Sequence, residues 1–199
     1  MSTLFELHRK YNSVKTRDKY PYSHIYAKEI YPRYLDPRKN EPLQVLEIGI
    51  ARGGALQALR DYLPKANIIG YDIQLIDIQI KDYTRIELLQ GSQDDTERLK
   101  DLIAMFGPFD VIIDDACHLF EPQLASLNAL WPHLNPGGMY FIEDVFPLWG
   151  KRGNASDRIF HHVKDNLLKS EEFAKKGAIT DKHCISFYPS MVVLEKLIV

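Results

Sequence analysis

The chain has 199 residues, 45% hydrophobic and 26% charged, with a formal net charge of −2. That is the make-up of a folded domain with a sizeable core, and the near-neutral balance excludes a bulk pull toward nucleic acid or an anionic membrane. Two cysteines, Cys117 and Cys184, are too few for a disulfide framework and read as reduced thiols. MSTLFELHRKYNS lacks a signal-peptide core and no apolar run reaches membrane-spanning length, so a soluble, cytoplasmic protein with no membrane partner is expected.

Residues 1–42 form an N-terminal helical or lid segment rich in tyrosine, lysine and arginine. A helix is expected from Ser23 to Leu35, closed by Pro37 and Pro42. Basic and acidic residues mix here and no RNA-binding motif appears, so no nucleic-acid partner is expected. The domain proper is expected over 43–199. LQVLEIGI, NIIGYDI, RIELLQG, FDVIIDD and MYFIEDV are short apolar runs of the kind buried in parallel sheets. Between them, ARGGALQALRDYLPK, DDTERLKDLIAMFG and EPQLASLNALWPHL read as helices, the last ended by NPGG. ASDRIFHHVKDNLLKSEEFAKKG reads as a long helix. HCISFYPSMVVLEKLIV reads as two strands around a turn at Pro189 and Ser190. The alternation predicts an α/β, Rossmann-like doubly wound sheet with an antiparallel pair at one edge.

Such sheets bind ligands outside the carboxyl ends of their strands. The residues there are Glu47 and Gly49, Asp72, Gly91 to Gln93, Asp114 and Asp115, and Glu143 and Asp144. In EIGIARGG, Gly49 ends a strand and Gly53 and Gly54 open a helix, letting backbone approach a ligand. The middle glycine of a dinucleotide fingerprint is missing, which argues against a nicotinamide dehydrogenase. Asp72, 23 residues after Gly49, can accept hydrogen bonds from both ribose hydroxyls of an adenosine. The plain alternative is a tight turn with a surface acid.

VLEIGIARGGAL followed by YDIQ resembles motifs I and II of the class I S-adenosylmethionine-dependent methyltransferases. The resemblance implies a seven-stranded sheet whose last strand is antiparallel. It also implies that Glu47 and Gly49 line the methionine and ribose of the cofactor and that Asp72 holds the ribose. In the LQGSQDD segment, Ser92 and Gln93 would lie beside the adenine.

In that fold the ends of the fourth and fifth strands, IDDACH and IEDV, are neighbours. Asp115, Glu143 and Asp144 would crowd one small volume with His118 nearby. Carboxylates so placed repel unless a cation joins them, and an all-oxygen set favours Mg²⁺ or Ca²⁺. Such an ion eases deprotonation of an alcohol, and a histidine in reach can take the proton. VIIDDACH, WPHLNPGGMYFIEDV and the terminal hairpin together resemble the Mg²⁺-dependent sugar O-methyltransferases of macrolide biosynthesis, over about residues 8–197. This implies that Asp115, Glu143 and Asp144 bind the metal and that His118 is the general base. The segment HRKYNSVKTRDKYPYSHIY also resembles that family, with Tyr22, Ser23 and Tyr26 as cofactor contacts.

Two departures stand out. Ala116 and Cys117 replace the glycine and serine usual between the acid pair and the histidine, and no counterpart of the large N-terminal auxiliary domain of some macrolide enzymes is expected. The expected activity is O-methylation of a hydroxyl on a sugar or other polyhydroxylated small natural product, with S-adenosylmethionine and Mg²⁺. Alternatives are a metal-assisted methyltransferase for a catechol oxygen or an amine, and a non-catalytic nucleoside-binding regulatory module. Asp114 is expected to cap the turn or touch the cofactor, and Cys117 to fill space. His133, His161 and His162 are expected to be caps or solvated. Residues 146–158, with Trp149, suit a lid or a packed loop. SMVVLEKLIV could be an edge that pairs with a second copy, giving a homo-oligomer, or an ordinary buried pair.

Overall fold

A computed structural model describes residues 2–16, 24–145, 159, 161–163 and 183–198. The chain divides into two compact units, 1–90 and 91–199.

The first unit starts with helix α1, Leu4–Lys10, whose capping box joins Thr3 and Glu6 reciprocally. A 3-10 turn follows at Val14–Thr16. The helix expected to end at Leu35 is less regular than the sequence suggests. It runs as a π-turn Tyr26–Ile30, a short α2 Tyr31–Leu35 and a 3-10 turn Asp36–Arg38. Pro32 has no N–H to give Lys28, and the widened turn ahead of it accommodates that loss. Pro37 sits within the 3-10 turn and does not stop the chain.

Three parallel strands follow, β1 Gln44–Ile48, β2 Asn67–Asp72 and β3 Ile86–Gln90, in the order β3-β2-β1. Helix α3, Gly54–Tyr62, lies between β1 and β2 in sequence. It is held to α1 by Asp61, which accepts from Lys10 Nζ at 3.0 Å and Tyr11 Oη at 2.5 Å. The Arg85 guanidinium donates to the carbonyls of Arg60, Leu63 and Ala66 and so satisfies the open carboxyl end of α3.

The second unit holds α4 Thr96–Phe106, β4 Phe109–Asp114, α5 Phe120–Leu130, β5 Leu134–Glu143, β6 His183–Tyr188 and β7 Met191–Lys196. Its strands run in the order β4-β5-β7-β6. β4 and β5 are parallel, and β7 is antiparallel to β5 and to β6. With three strands in one unit and four in the other, the fold is a seven-stranded mixed α/β sheet with an antiparallel last strand. Val111–Ile113, Tyr140–Ile142 and Val192–Leu194 are all buried. This explains why those runs lack polar alternation.

NPGG does not simply end a helix. Helix α5 stops at Leu130, a 3-10 turn covers Trp131–His133, and NPGG belongs to β5. The register moves from Phe109↔Leu134 to Val111↔Met139, so extra residues of β5 bulge out, with Gly137 at φ 78°. The C-terminal strand MVVLEK is flanked by β5 and β6 and is not an edge. Among the described residues no helix is long and apolar enough to cross a membrane.

Candidate metal and methyl-transfer site

In the first unit, the glycine turn is tied to Asp72. Asp72 Oδ2 accepts the N–H of Ile50 at 2.8 Å and of Ala51 at 3.3 Å, and Oδ1 accepts that of Gln74 at 3.1 Å. Gly49, Ala51 and Gly53 all have positive φ, which brings the backbone round in a tight loop. Gly54 opens α3 where a Cβ would lie 2.7 Å from the Tyr11 carbonyl oxygen. Asp72 therefore organises the loop, and a carboxylate has lone pairs to spare for further donors.

Glu47 is buried in β1, and its Oε1 lies 3.6 Å from Lys15 Nζ, itself buried. Burying a carboxylate is costly without a cation beside it, and Lys15 supplies one. Nothing in SVKTR signals this pair, because the segment carries no apolar periodicity. Tyr26 is fully buried in the π-turn. Tyr22 and Ser23 lie outside the described residues, as do residues 146–158 with Trp149 and most of the expected long helix.

In the second unit, the ends of β4 and β5 bring Asp115, His118 and Asp144 together. One ligand atom from each lies within 4.8 Å of the others. His118 Nε2 is 3.9 Å from Asp115 Oδ1 and 3.6 Å from Asp144 Oδ2. An ion with bonds near 2.0–2.1 Å separates opposite ligands by about 4 Å, so the group is of a size to surround one. Two carboxylates give such an ion hard oxygen donors. His118 and Asp144 are both left-handed, at φ 56° and 54°. Non-glycine residues hold that conformation at some cost, and such residues concentrate at functional sites. Glu143, the last residue of β5, is buried and stands outside this converging group. Asp144 follows the strand's last residue in a left-handed turn, so its side chain leaves the backbone in a different direction from that of Glu143.

Behind these residues lies a buried polar network. Asp114 is fully buried at the end of β4. Gln93 Nε2 donates to both its oxygens at 2.6 Å, and Ser126 Oγ donates to Oδ2 at 2.8 Å. Tyr140 Oη lies 3.5 Å from Oδ2. Burial pushes the Asp114 carboxyl up to about 6, against the opposing bond from Ser126, the charge of His118 and the bond from Gln93. Burial, then the charge of Asp114, raises the Tyr140 phenol well above its ordinary range. Gln93 Oε1 accepts from Cys117, from its N–H at 3.5 Å and its thiol at 3.2 Å. Cys117 thus packs against the turn, and burial raises its thiol.

Ser92 stands beside Gln93, with its hydroxyl donating to Asp94. Ser126 and Tyr140 escaped the sequence reading. The available signal was Gln123 and Ser126 lying on the same face as the buried Leu127 and Leu130 of α5. His162, expected to be solvated, packs edge-on against Phe120 at 5.7 Å, and burial lowers its titration.

No protein-family model matches the chain. It is 36% identical to mycinamicin VI 2''-O-methyltransferase of Micromonospora griseorubida, over 70% of this chain and 37% of that protein. It is 38% identical to demethylmacrocin O-methyltransferase of Streptomyces fradiae, over 83% of this chain and 47% of that protein. Among solved structures it is similar to the MycE methyltransferase from the mycinamycin biosynthetic pathway in complex with Mg, SAH and mycinamycin VI. There the TM-score is 0.80 and the identity 31%, over 98% of this chain and 55% of that one. The chain spans about half the length of the curated relatives it matches or less.

Proposed function

Because the chain belongs to the class I S-adenosylmethionine-dependent methyltransferases and is a relative of the macrolide and sugar O-methyltransferases, we propose that it methylates a sugar hydroxyl of a small natural product, with S-adenosylmethionine as donor and Mg²⁺ as helper. The observation that carries this reading is the convergence of Asp115, His118 and Asp144 at the ends of β4 and β5.

Asp115 and Asp144 are the proposed metal ligands. Glu143, at the same strand end, is the third carboxylate that the resemblance implies. When bound, the ion supplies positive charge that eases loss of the acceptor's hydroxyl proton. His118 takes that proton on a ring nitrogen. The hydroxyl oxygen forms a bond to the methyl carbon as the carbon–sulfur bond breaks, and the products are the methyl ether and S-adenosylhomocysteine. The cofactor contacts proposed are Tyr22, Ser23, Tyr26, Glu47, Gly49 and Asp72 from the first unit and Ser92 from the second. Asp72 pre-shapes the glycine turn, which lowers the cost of ordering it when the nucleoside arrives. A hydroxylated small-molecule acceptor is the proposed partner, and the cytoplasm the proposed compartment.

The test is methyl transfer from S-adenosylmethionine carrying a ¹³C methyl group to a panel of deoxysugar glycosides, read by mass spectrometry. The reading expects labelled methyl ether from a glycoside with vicinal hydroxyls, lost on adding EDTA and restored by Mg²⁺. Transfer to catechols or amines alone would overturn the acceptor class.

A further inference from the structure

Gln93 was expected beside the adenine, and Asp114 was expected to cap the turn or touch the cofactor; both side chains bond one another and the turn that leads to His118. We propose that Gln93 is a positioning residue that fixes the Asp115–His118 turn by bridging its two ends; this rests on the reading of that turn as the metal and proton-transfer site.

The geometry is specific. The turn leaves β4 at Asp114 and reaches His118 four residues later. The Gln93 carboxamide spans it. Its nitrogen lies 2.6 Å from both Asp114 oxygens and 3.2 Å from Ser126 Oγ. Its oxygen accepts from Cys117, the residue before His118. An amide offers two N–H donors and one carbonyl acceptor, so every polar atom of Gln93 is engaged within this turn and helix α5. Gln93 is itself buried.

The left-handed His118 needs such support. A non-glycine residue stays at positive φ only where its surroundings over-determine it. Bonds among buried groups in a low-dielectric interior are strong when all are satisfied. Without Gln93, residues 115–118 keep their attachment to β4 but lose the clamp at the Cys117 end. The separation of Asp115 from His118 then widens or varies. Ser126 makes a useful contrast. It also bonds Asp114, at 2.8 Å, but it does not reach Cys117. Removing Ser126 therefore costs a buried bond without freeing the turn.

The experiment compares Gln93→Met, nearly the same shape without polar atoms, with Ser126→Ala. Three quantities are read: Mn²⁺ affinity by electron paramagnetic resonance, S-adenosylhomocysteine affinity by calorimetry, and the ¹⁵N resonances of the His118 ring. The proposal expects Gln93→Met to weaken Mn²⁺ at least tenfold and to shift the His118 signals. S-adenosylhomocysteine affinity should stay within about twofold. Ser126→Ala should lower the melting temperature but leave ion affinity and His118 signals near wild type. Equal effects from both variants would reduce Gln93 to a stabilising core residue and overturn the proposal. Lost S-adenosylhomocysteine affinity with unchanged Mn²⁺ affinity and His118 signals would make it a cofactor contact and overturn it too.

If the wild type binds no ion, the metal reading fails by itself. The His118 resonances still decide whether Gln93 holds the turn. Should Gln93→Met not fold, Gln93→Asn keeps the amide but shortens it by one methylene, so that it no longer spans from Asp114 to Cys117, and gives the same comparison.

Discussion

His8 sits on α1, buried, with neither ring nitrogen hydrogen-bonded. Burial, helped by the charge of nearby Lys15, lowers its titration from 6.5 to about 3. The folded chain therefore keeps His8 neutral where the unfolded chain would protonate it. Between those values the unfolded state binds the extra proton, so stability rises with pH across the window. His8 imposes no penalty above about pH 6.5, and its contribution is lost as pH falls toward 3. Lowering the pH from 7.5 to 5 goes about 1.5 pH units below the unfolded value, which costs ~2 kcal/mol at 1.36 kcal/mol per unit. His8→Leu keeps the apolar packing and removes the titration. Urea unfolding of both proteins at pH 7.5 and 5 reads the effect as a difference of differences, in which carboxylates common to both cancel. The wild type should lose ~2 kcal/mol more than the variant over that interval. Equal losses would refute the claim that a buried neutral His8 makes this fold acid-labile.

Lys15→Met removes the ammonium that lies 3.6 Å from the buried Glu47 carboxylate. It should cost about 3–5 kcal/mol in chemical denaturation, and Lys15→Met/Glu47→Leu should recover most of that without restoring S-adenosylhomocysteine binding. Gly54→Ala places a methyl group against the Tyr11 carbonyl oxygen, a backbone atom that cannot swing aside. A destabilisation of roughly 1–3 kcal/mol is expected, read as a lowered melting temperature. Asp72→Ala releases the N–H groups of Ile50, Ala51 and Gln74, and calorimetry should show S-adenosylhomocysteine affinity falling at least tenfold. His118→Gln should lower kcat by about 10²–10⁴ with cofactor affinity unchanged. A smaller loss would remove His118 as the general base.

Much of the fold was legible because parallel strands buried on both faces leave unbroken apolar runs. Val111–Ile113 and Tyr140–Ile142 are such runs, and both are strands. The strand-end acids were legible for a related reason. An acid directly after such a run has to meet either solvent or a partner. What the pattern did not carry was the direction of individual side chains. Gln93 follows a strand end just as a cofactor contact would, yet its amide turns inward to Asp114 and Cys117. Glu143 and Asp144 are adjacent in sequence, and only Asp144 joins the converging donors. Lys15 sits in a mixed-charge stretch without apolar periodicity, while its ammonium is buried against Glu47. Such pairings across long sequence separations leave no periodic trace. The π-turn at Tyr26–Ile30 is a local adjustment to Pro32 that helix periodicity does not register.

The central claim is that Asp115 and Asp144 hold a divalent ion for methyl transfer. Titration of Mn²⁺ in the presence of S-adenosylhomocysteine, followed by electron paramagnetic resonance on the wild type and Asp115→Asn, tests it most directly. The account predicts one bound ion in the wild type, lost or weakened at least tenfold in the variant. An ion bound equally by both proteins, or by neither, would contradict it.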